Sequence, residues 1–336
     1  MSNMTKEKLI DVLLSEEYGY LPEKPQSFTA FSESVNKKFC AGKADLEKIR
    51  LNFLMQNGNF SFPVYLVCPK NVQGKVPCFI HINFDNNVPS QYQPTEEIID
   101  RGYATLTFCY RDVTSDDGDF TDGLAGLVYP DGKRKENDCG KIGLWAFAAM
   151  CVMDFAQTLP NIDPERISVV GHSRLGKTAL LAGALDERFF CAISNDSGCG
   201  GASLARGNTG EKIIDIIHGF PYWFCENYKK YAKNEDEMSF DQHFLIAANH
   251  PHRVYVASAE DDEWACPKNE YLSCVAASEY YEGRGMKGIE AFGGGVPAAE
   301  TALHGGHIGY HIRRGSHYLS RADWNEFINY LDRADK

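Results

Sequence analysis

The stretch Arg166 to Leu185, reading RISVVGHSRLGKTALLAGAL, constrains this chain more than any other. Ile167 to Val170 is a short β-branched run between Pro164 and Gly171, which predicts a fully buried strand. From Lys177 onward the residues Thr, Ala, Leu, Leu, Ala, Gly, Ala and Leu predict a helix. Ser173 therefore stands at a corner where a strand turns into a helix, inside Gly171-His172-Ser173-Arg174-Leu175-Gly176. Small neighbours let the two elements approach, and the corner holds its serine in a strained backbone with the hydroxyl exposed above the sheet. The helix N-terminus beneath it favours developing negative charge. The common form of such a corner is G-x-S-x-G, and here the second glycine comes one residue late. The motif alone thus leaves an ordinary strand-to-helix turn open, and the flanking strand and helix favour a nucleophile.

Around this corner the chain alternates strand and helix patterns. Lys75 to Phe84 is a continuous apolar run suited to a central strand; Thr95 to Arg101 reads as a helix and Tyr103 to Cys109 as a strand. Ile142 to Leu159 is a helix with almost no polar face. Strands at Cys191 to Asn195, Arg253 to Ser258 and Ile308 to Ile312, with helices at Asn269 to Tyr281 and Ala322 to Leu331, continue the pattern. An N-terminal surface helix and strands at Leu51 to Met55 and Pro63 to Cys68 give an antiparallel opening. The alternation predicts an α/β fold with a mostly parallel sheet and helices on both faces. It is read as one domain over residues 1–336, with insertions at about 111–140 and 198–250. The first insertion carries Asp116, Asp117, Asp119 and Asp122; their spacing does not fit an EF-hand loop, and a solvated excursion is the favoured reading.

Composition removes several classes of partner. A net charge of -12 argues against nucleic acid, which needs clustered Lys and Arg. No apolar run is long enough to span a bilayer, and the first residues lack a signal-peptide pattern, so reduced cysteines in the cytoplasm are expected. No residue set calls for a cofactor.

A serine on such an elbow is served by an acid and then a histidine, which follow it on loops at the strand ends in the α/β-hydrolases. The late histidines are His304, His307, His311 and His317. His311 falls inside the last strand and reads as a packed core residue, whereas His317 follows that strand on a loop able to reach the serine. His304 and His307 lie in a glycine loop with no HExxH motif, so no metal site is expected. The acid has two seats, Asp196 after the strand ending at Asn195 and Asp262 after the strand ending at Ser258. Either can fix the histidine tautomer.

These residues resemble the glucuronoyl esterases, carbohydrate esterase family fifteen of the α/β-hydrolase superfamily. The likeness lies in G-x-S-R-x-G-K at Gly171 to Lys177, an acid-S-G-x-G-G segment at Asp196 to Gly201, and Arg206 followed by Gly210-Glu211. It continues in D-x-W at Asp262 and Trp264 and a terminal G-x-H ending at His317, in one order over roughly residues 166 to 330. The resemblance implies a serine esterase cleaving esters of 4-O-methyl-glucuronic acid on xylan with lignin alcohols. By position, it makes Ser173 the nucleophile, His317 the base and Arg174 a side-chain support for the oxyanion, with Lys177, Glu211 and Trp264 contacting the uronate. The family's acid is usually a glutamate at the first seat or an aspartate at the second. Here the first seat holds the shorter Asp196, which favours Asp262 as the triad acid and leaves Asp196 as a supporting carboxylate.

The expected partner is a small or oligosaccharide uronate ester. A carbohydrate acetyl esterase, and a noncatalytic sugar-binding module on the same fold, are the alternatives; the residues do not address the oligomeric state.

Overall fold

The computed structural model describes residues 4–70, 72–293 and 295–334. Its strands are β1 (Ser27–Phe39), β2 (Ala44–Met55), β3 (Gly58–Pro69), β4 (Val76–Asn83), β5 (Ala104–Cys109), β6 (Ile162–His172), β7 (Cys191–Asn195), β8 (Arg253–Ala259), β9 (Thr301–Leu303) and β10 (Ile308–Arg313). The α-helices are α1 (Lys6–Leu13), α2 (Thr95–Asp100), α3 (Gly123–Val128), α4 (Lys141–Ala156), α5 (Arg174–Leu185), α6 (Ile213–Gly219), α7 (His243–Ala248), α8 (Pro267–Glu282) and α9 (Arg321–Arg333).

All ten strands form one sheet in the order β1-β2-β3-β5-β4-β6-β7-β8-β10-β9. From β5 to β10 every neighbouring pair is parallel, while β1 to β3 and β9 attach antiparallel at the two edges. The parallel strands read as unbroken apolar runs because helices cover both faces. In β6, Val169 joins the core beneath α4 and α5, and the next residue, Val170, joins the one beneath α2 and α9 with Trp324 and Phe327. β4 divides the same way, Phe79 to one face and Ile80 to the other. The chain runs outward from β4 to β5 and returns to the other side of β4 as β6, so the strand order reverses there. Ligand sites of open α/β sheets gather at such a switch point, and Ser173 follows β6 directly.

The elements differ from the sequence reading mainly at the edges. β1 was not expected: most of its residues are exposed, and it is a strand because its backbone pairs with β2, a long-range contact its composition does not signal. β2 begins seven residues before the expected start, and β9 is too short to leave a pattern.

Residues 111–140 are also not a solvated excursion. Phe120, Leu124, Tyr129 and Cys139 are buried, and the acids have internal partners. The ammonium of the fully buried Lys141 lies 2.8 Å from Thr114 Oγ1, 3.2 Å from Ser115 Oγ, 2.6 Å from the Asp119 carbonyl and 3.3 Å from Asp122 Oδ1. A side-chain cation thus sits where those oxygens converge. Residues 198–250 carry α6 and α7 and contribute Trp223, Phe224 and Tyr228 to the core. Eleven cysteines are unpaired, and burial raises the thiol pKa of Cys191 and Cys199. Among the described residues no helix is long and apolar enough to cross a membrane.

Candidate active site

Ser173 has φ 58° and ψ −129°, a conformation that costs a non-glycine residue about 1–3 kcal/mol and persists only where its surroundings hold it. Its amide donates to the Asn195 carbonyl at 2.8 Å, tying the corner to the end of β7. The two flanking glycines are both required sterically. A Cβ on Gly171 would lie 2.0 Å from the Leu175 carbonyl oxygen, and one on Gly176 would lie 2.9 Å from Ser194 Oγ. The late glycine is therefore the position at which α5 presses on the next strand, and Leu175 can precede it because its side chain is buried in the core.

His317 lies on the loop between β10 and α9, and Asp262 on the loop after β8. The imidazole Nδ1 is 2.6 Å from Asp262 Oδ2, in the range of a charge-assisted hydrogen bond. A carboxylate accepts, so Nδ1 carries the proton and Nε2 is left as a base. The Asp262 carboxylate is almost fully buried, and its Oδ1 accepts from the Ala265 amide at 3.3 Å.

Asp196, Asp262 and His317 each bring a polar atom within 4.8 Å of the other two. Yet Asp196 has other partners: its Oδ2 accepts from Arg313 Nη2 at 3.4 Å and the Tyr318 amide at 3.3 Å. Its Oδ1 is buried with no partner among the described residues. Burial, followed by the charge of Glu270, pushes its carboxyl well above the usual range.

His172 packs against His317 with ring centroids 4.4 Å apart and the rings tilted by 42°, and is held by Asn195 Oδ1 at 2.6 Å. Burial and the neighbouring imidazole lower its pKa to about 3, so it remains an uncharged surface against which His317 rests.

The candidate binding groups surround one cavity of about 310 Å3 that Ser173, Arg174, Lys177, Glu211, Trp264 and His317 all line. Lys177 lies one helical turn beyond Ser173 and is 2% exposed. Its ammonium donates to Glu211 Oε2 at 2.9 Å and to the Cys199 carbonyl. It is therefore half of a buried neutral pair rather than a free cation. Trp264 is 56% exposed, which places it on the rim and not in the core. Arg174 donates through Nη1 to Asp116 and packs over Trp223, with 4.7 Å from Cζ to the ring centroid.

Sequence reasoning missed Phe220 and Trp223, whose rings stack 3.9 Å apart at 5° and line the same cavity. The aromatic cluster Phe220-Pro221-Tyr222-Trp223-Phe224 was the available signal. It also missed Asp116, which nothing in the sequence distinguishes from its acidic neighbours.

A parallel sheet with the nucleophile corner after its central strand, followed by an acid and a histidine on later strand ends, is the architecture of an α/β-hydrolase. Residues 52–285 match a family model described as glucuronyl esterase, fungi. The chain belongs to the glucuronoyl esterases, the carboxylic ester hydrolases of carbohydrate esterase family fifteen.

It is 30% identical over 352 aligned positions to carbohydrate esterase MZ0003 from an unknown prokaryotic organism, covering 94% of this chain and 81% of that one. It is 28% identical to a 4-O-methyl-glucuronoyl methylesterase of Podospora anserina, covering 85% of this chain but only 56% of the relative. A solved glucuronoyl esterase from Solibacter usitatus superposes with a TM-score of 0.88 at 28% identity, covering 98% of this chain and 92% of that one.

Proposed function

We propose that this chain hydrolyses esters of 4-O-methyl-glucuronic acid or glucuronic acid through an acyl-enzyme on Ser173. His317 Nε2 takes the hydroxyl proton as Ser173 Oγ attacks the uronate carbonyl, and Asp262 stabilises the imidazolium that forms. The same imidazolium then protonates the departing alcohol. Water, activated by the neutral His317, releases the uronic acid and restores the serine. Arg174, directly after the nucleophile, faces the tetrahedral oxyanion; a single lost donor of this kind costs about 2.7–4 kcal/mol of barrier.

The Lys177–Glu211 pair suits this substrate class for a physical reason. An esterified uronate carries no charge, so the groups to be recognised are sugar hydroxyls. A neutral pair offering one donor and one acceptor fits neighbouring hydroxyls better than a lone cation would. Trp264 on the rim supplies a face for the ring.

The observation that carries this reading is the 2.6 Å Asp262–His317 hydrogen bond beside an elbow serine in one cavity. Purified protein should hydrolyse benzyl or methyl glucuronate, and Ser173→Ala should abolish turnover. Faster cleavage of acetylated xylo-oligosaccharide than of any glucuronate ester would make it an acetyl esterase instead. Failure of a fluorophosphonate probe to label Ser173 would leave only a binding module.

A further inference from the structure

We infer that Asp116, in the first insertion, is a positioning residue for Arg174: its buried carboxylate clamps the guanidinium beside Ser173. This rests on the reading of Arg174 as the oxyanion's side-chain support and adds a group on which that support depends. The Asp116 side chain is 4% exposed, against 23% for Arg174. Its Oδ2 accepts from Arg174 Nη1 and from the Tyr110 hydroxyl, the latter at 2.9 Å. Its Oδ1 accepts from Trp223 Nε1 at 2.9 Å, and its own carbonyl accepts from the Tyr222 hydroxyl at 2.9 Å. One carboxylate thus ties the first insertion, the second insertion and the start of α5 together at the wall of the cavity.

The arrangement restrains the arginine without exhausting it. Arg174 Cζ lies 4.7 Å from the Trp223 ring centroid, 5.3 Å from that of Phe220 and 5.8 Å from that of Phe84. The aromatic faces and the carboxylate together leave this long side chain little rotamer freedom. Nη1 is the nitrogen committed to Asp116, while Nε is a buried donor with no acceptor among the described residues. A guanidinium has five N–H donors in a fixed fork, so others remain for an oxygen in the cavity.

A carboxylate next to an oxyanion binder also has a cost, because it offsets part of the positive potential the transition state would feel. The two effects have opposite signs. If charge alone mattered, removing the carboxylate would leave kcat unchanged or raise it. If fixed position matters, removing it lowers kcat, because the donor must then be ordered during each turnover.

Asp116→Asn separates them, since Asn keeps an acceptor for Trp223 Nε1 but puts an amide NH2, which cannot accept, where Oδ2 held Arg174. With benzyl glucuronate, Asp116→Asn should lower kcat at least tenfold while KM stays within about threefold, at a Tm close to wild type. The double variant Asp116→Asn/Arg174→Ala should be no slower than Arg174→Ala alone, within twofold, because the carboxylate acts only through the arginine. An Asp116→Asn enzyme with wild-type or higher kcat, or a double variant slowed by the product of the single effects, overturns the inference. Should Arg174→Ala itself turn over like wild type, the role given to Arg174 fails; an inactive Arg174→Ala beside a fully active Asp116→Asn sinks the clamp alone.

Discussion

Asp262→Asn tests the acid assignment most directly, because two carboxylates compete for the role. The carboxylate of Asp262 holds the His317 Nδ1 proton at 2.6 Å, which leaves Nε2 able to accept the serine proton. An asparagine can turn its amide nitrogen toward Nδ1, which must then accept; the proton moves to Nε2 and the base faces Ser173 already protonated. Loss of the correct tautomer in a serine triad costs about 10^4 in kcat, or about 5.4 kcal/mol at 1.36 kcal/mol per decade.

Asp196 sits close enough to substitute, but burial and Glu270 raise its carboxyl well above the usual range, which weakens it as the charge that balances an imidazolium. Asp262 is itself one of the charges raising the Asp196 pKa, so Asp262→Asn also eases Asp196 toward ionisation. The expected pH profile is therefore specific. The kcat/KM of Asp262→Asn on benzyl glucuronate should be lower by roughly 10^3–10^4 at pH 7, should climb as pH rises, and should lose that climb in Asp196→Asn/Asp262→Asn. Asp196→Asn alone should cost less than tenfold. An Asp262→Asn enzyme keeping more than a tenth of wild-type activity at pH 7, or Asp196→Asn falling as far as Asp262→Asn, would refute this division of roles.

Two further predictions concern buried ionisable groups outside the Ser173–His317–Asp262 set. Glu17 is fully buried beside Gln242, Asp241, Lys177 and Tyr228, and burial raises its pKa from 4.5 to about 8. Between those values the unfolded chain has released this proton and the folded chain has not, so stability should fall as pH rises from 4.5 to 8, by at most about 5 kcal/mol. Glu17→Gln should flatten that decline in urea melts taken across the range; an unchanged slope would show that Glu17 does not titrate there. Lys141→Met leaves the buried oxygens around it without their donor, while the half-buried Asp122 can turn to water, and should destabilise by about 1–3 kcal/mol. Calorimetry should show the corresponding drop in Tm, with no Tm rise for the unaltered protein in millimolar calcium; a calcium-dependent rise would mean that the ammonium is displaceable.

How far the sequence reached follows from the range of the interactions involved. The elbow was legible because strand, corner and helix lie within twenty residues of one another, and each has its own local pattern. The central strands were legible because burial on both faces makes them continuously apolar, as in Val76–Asn83. His317 and Asp262 were legible only through chain order and the resemblance, since 55 residues separate them and neither loop has periodicity. β1 was not legible at all: mostly exposed, it is ordered by a partner strand and not by a hydrophobic alternation.

The burial of the two insertions was not legible for a related reason. Acid-rich, aperiodic sequence normally signals solvation because an unpaired carboxylate is costly to bury. Asp116 and Lys141 are buried nonetheless, each supplied with partners from remote parts of the chain: Arg174 and Trp223 for the one, Thr114 and Asp122 for the other. Composition registers the charges but not their pairing. Once paired, the second insertion walls the cavity with Trp223 stacked on Phe220 beside Arg174, and the first holds that arginine from behind through Asp116. The core therefore supplies the elbow serine and the imidazole of the candidate site. On the proposed reading, the insertions hold the guanidinium beside the serine, through Asp116 from one and Trp223 from the other.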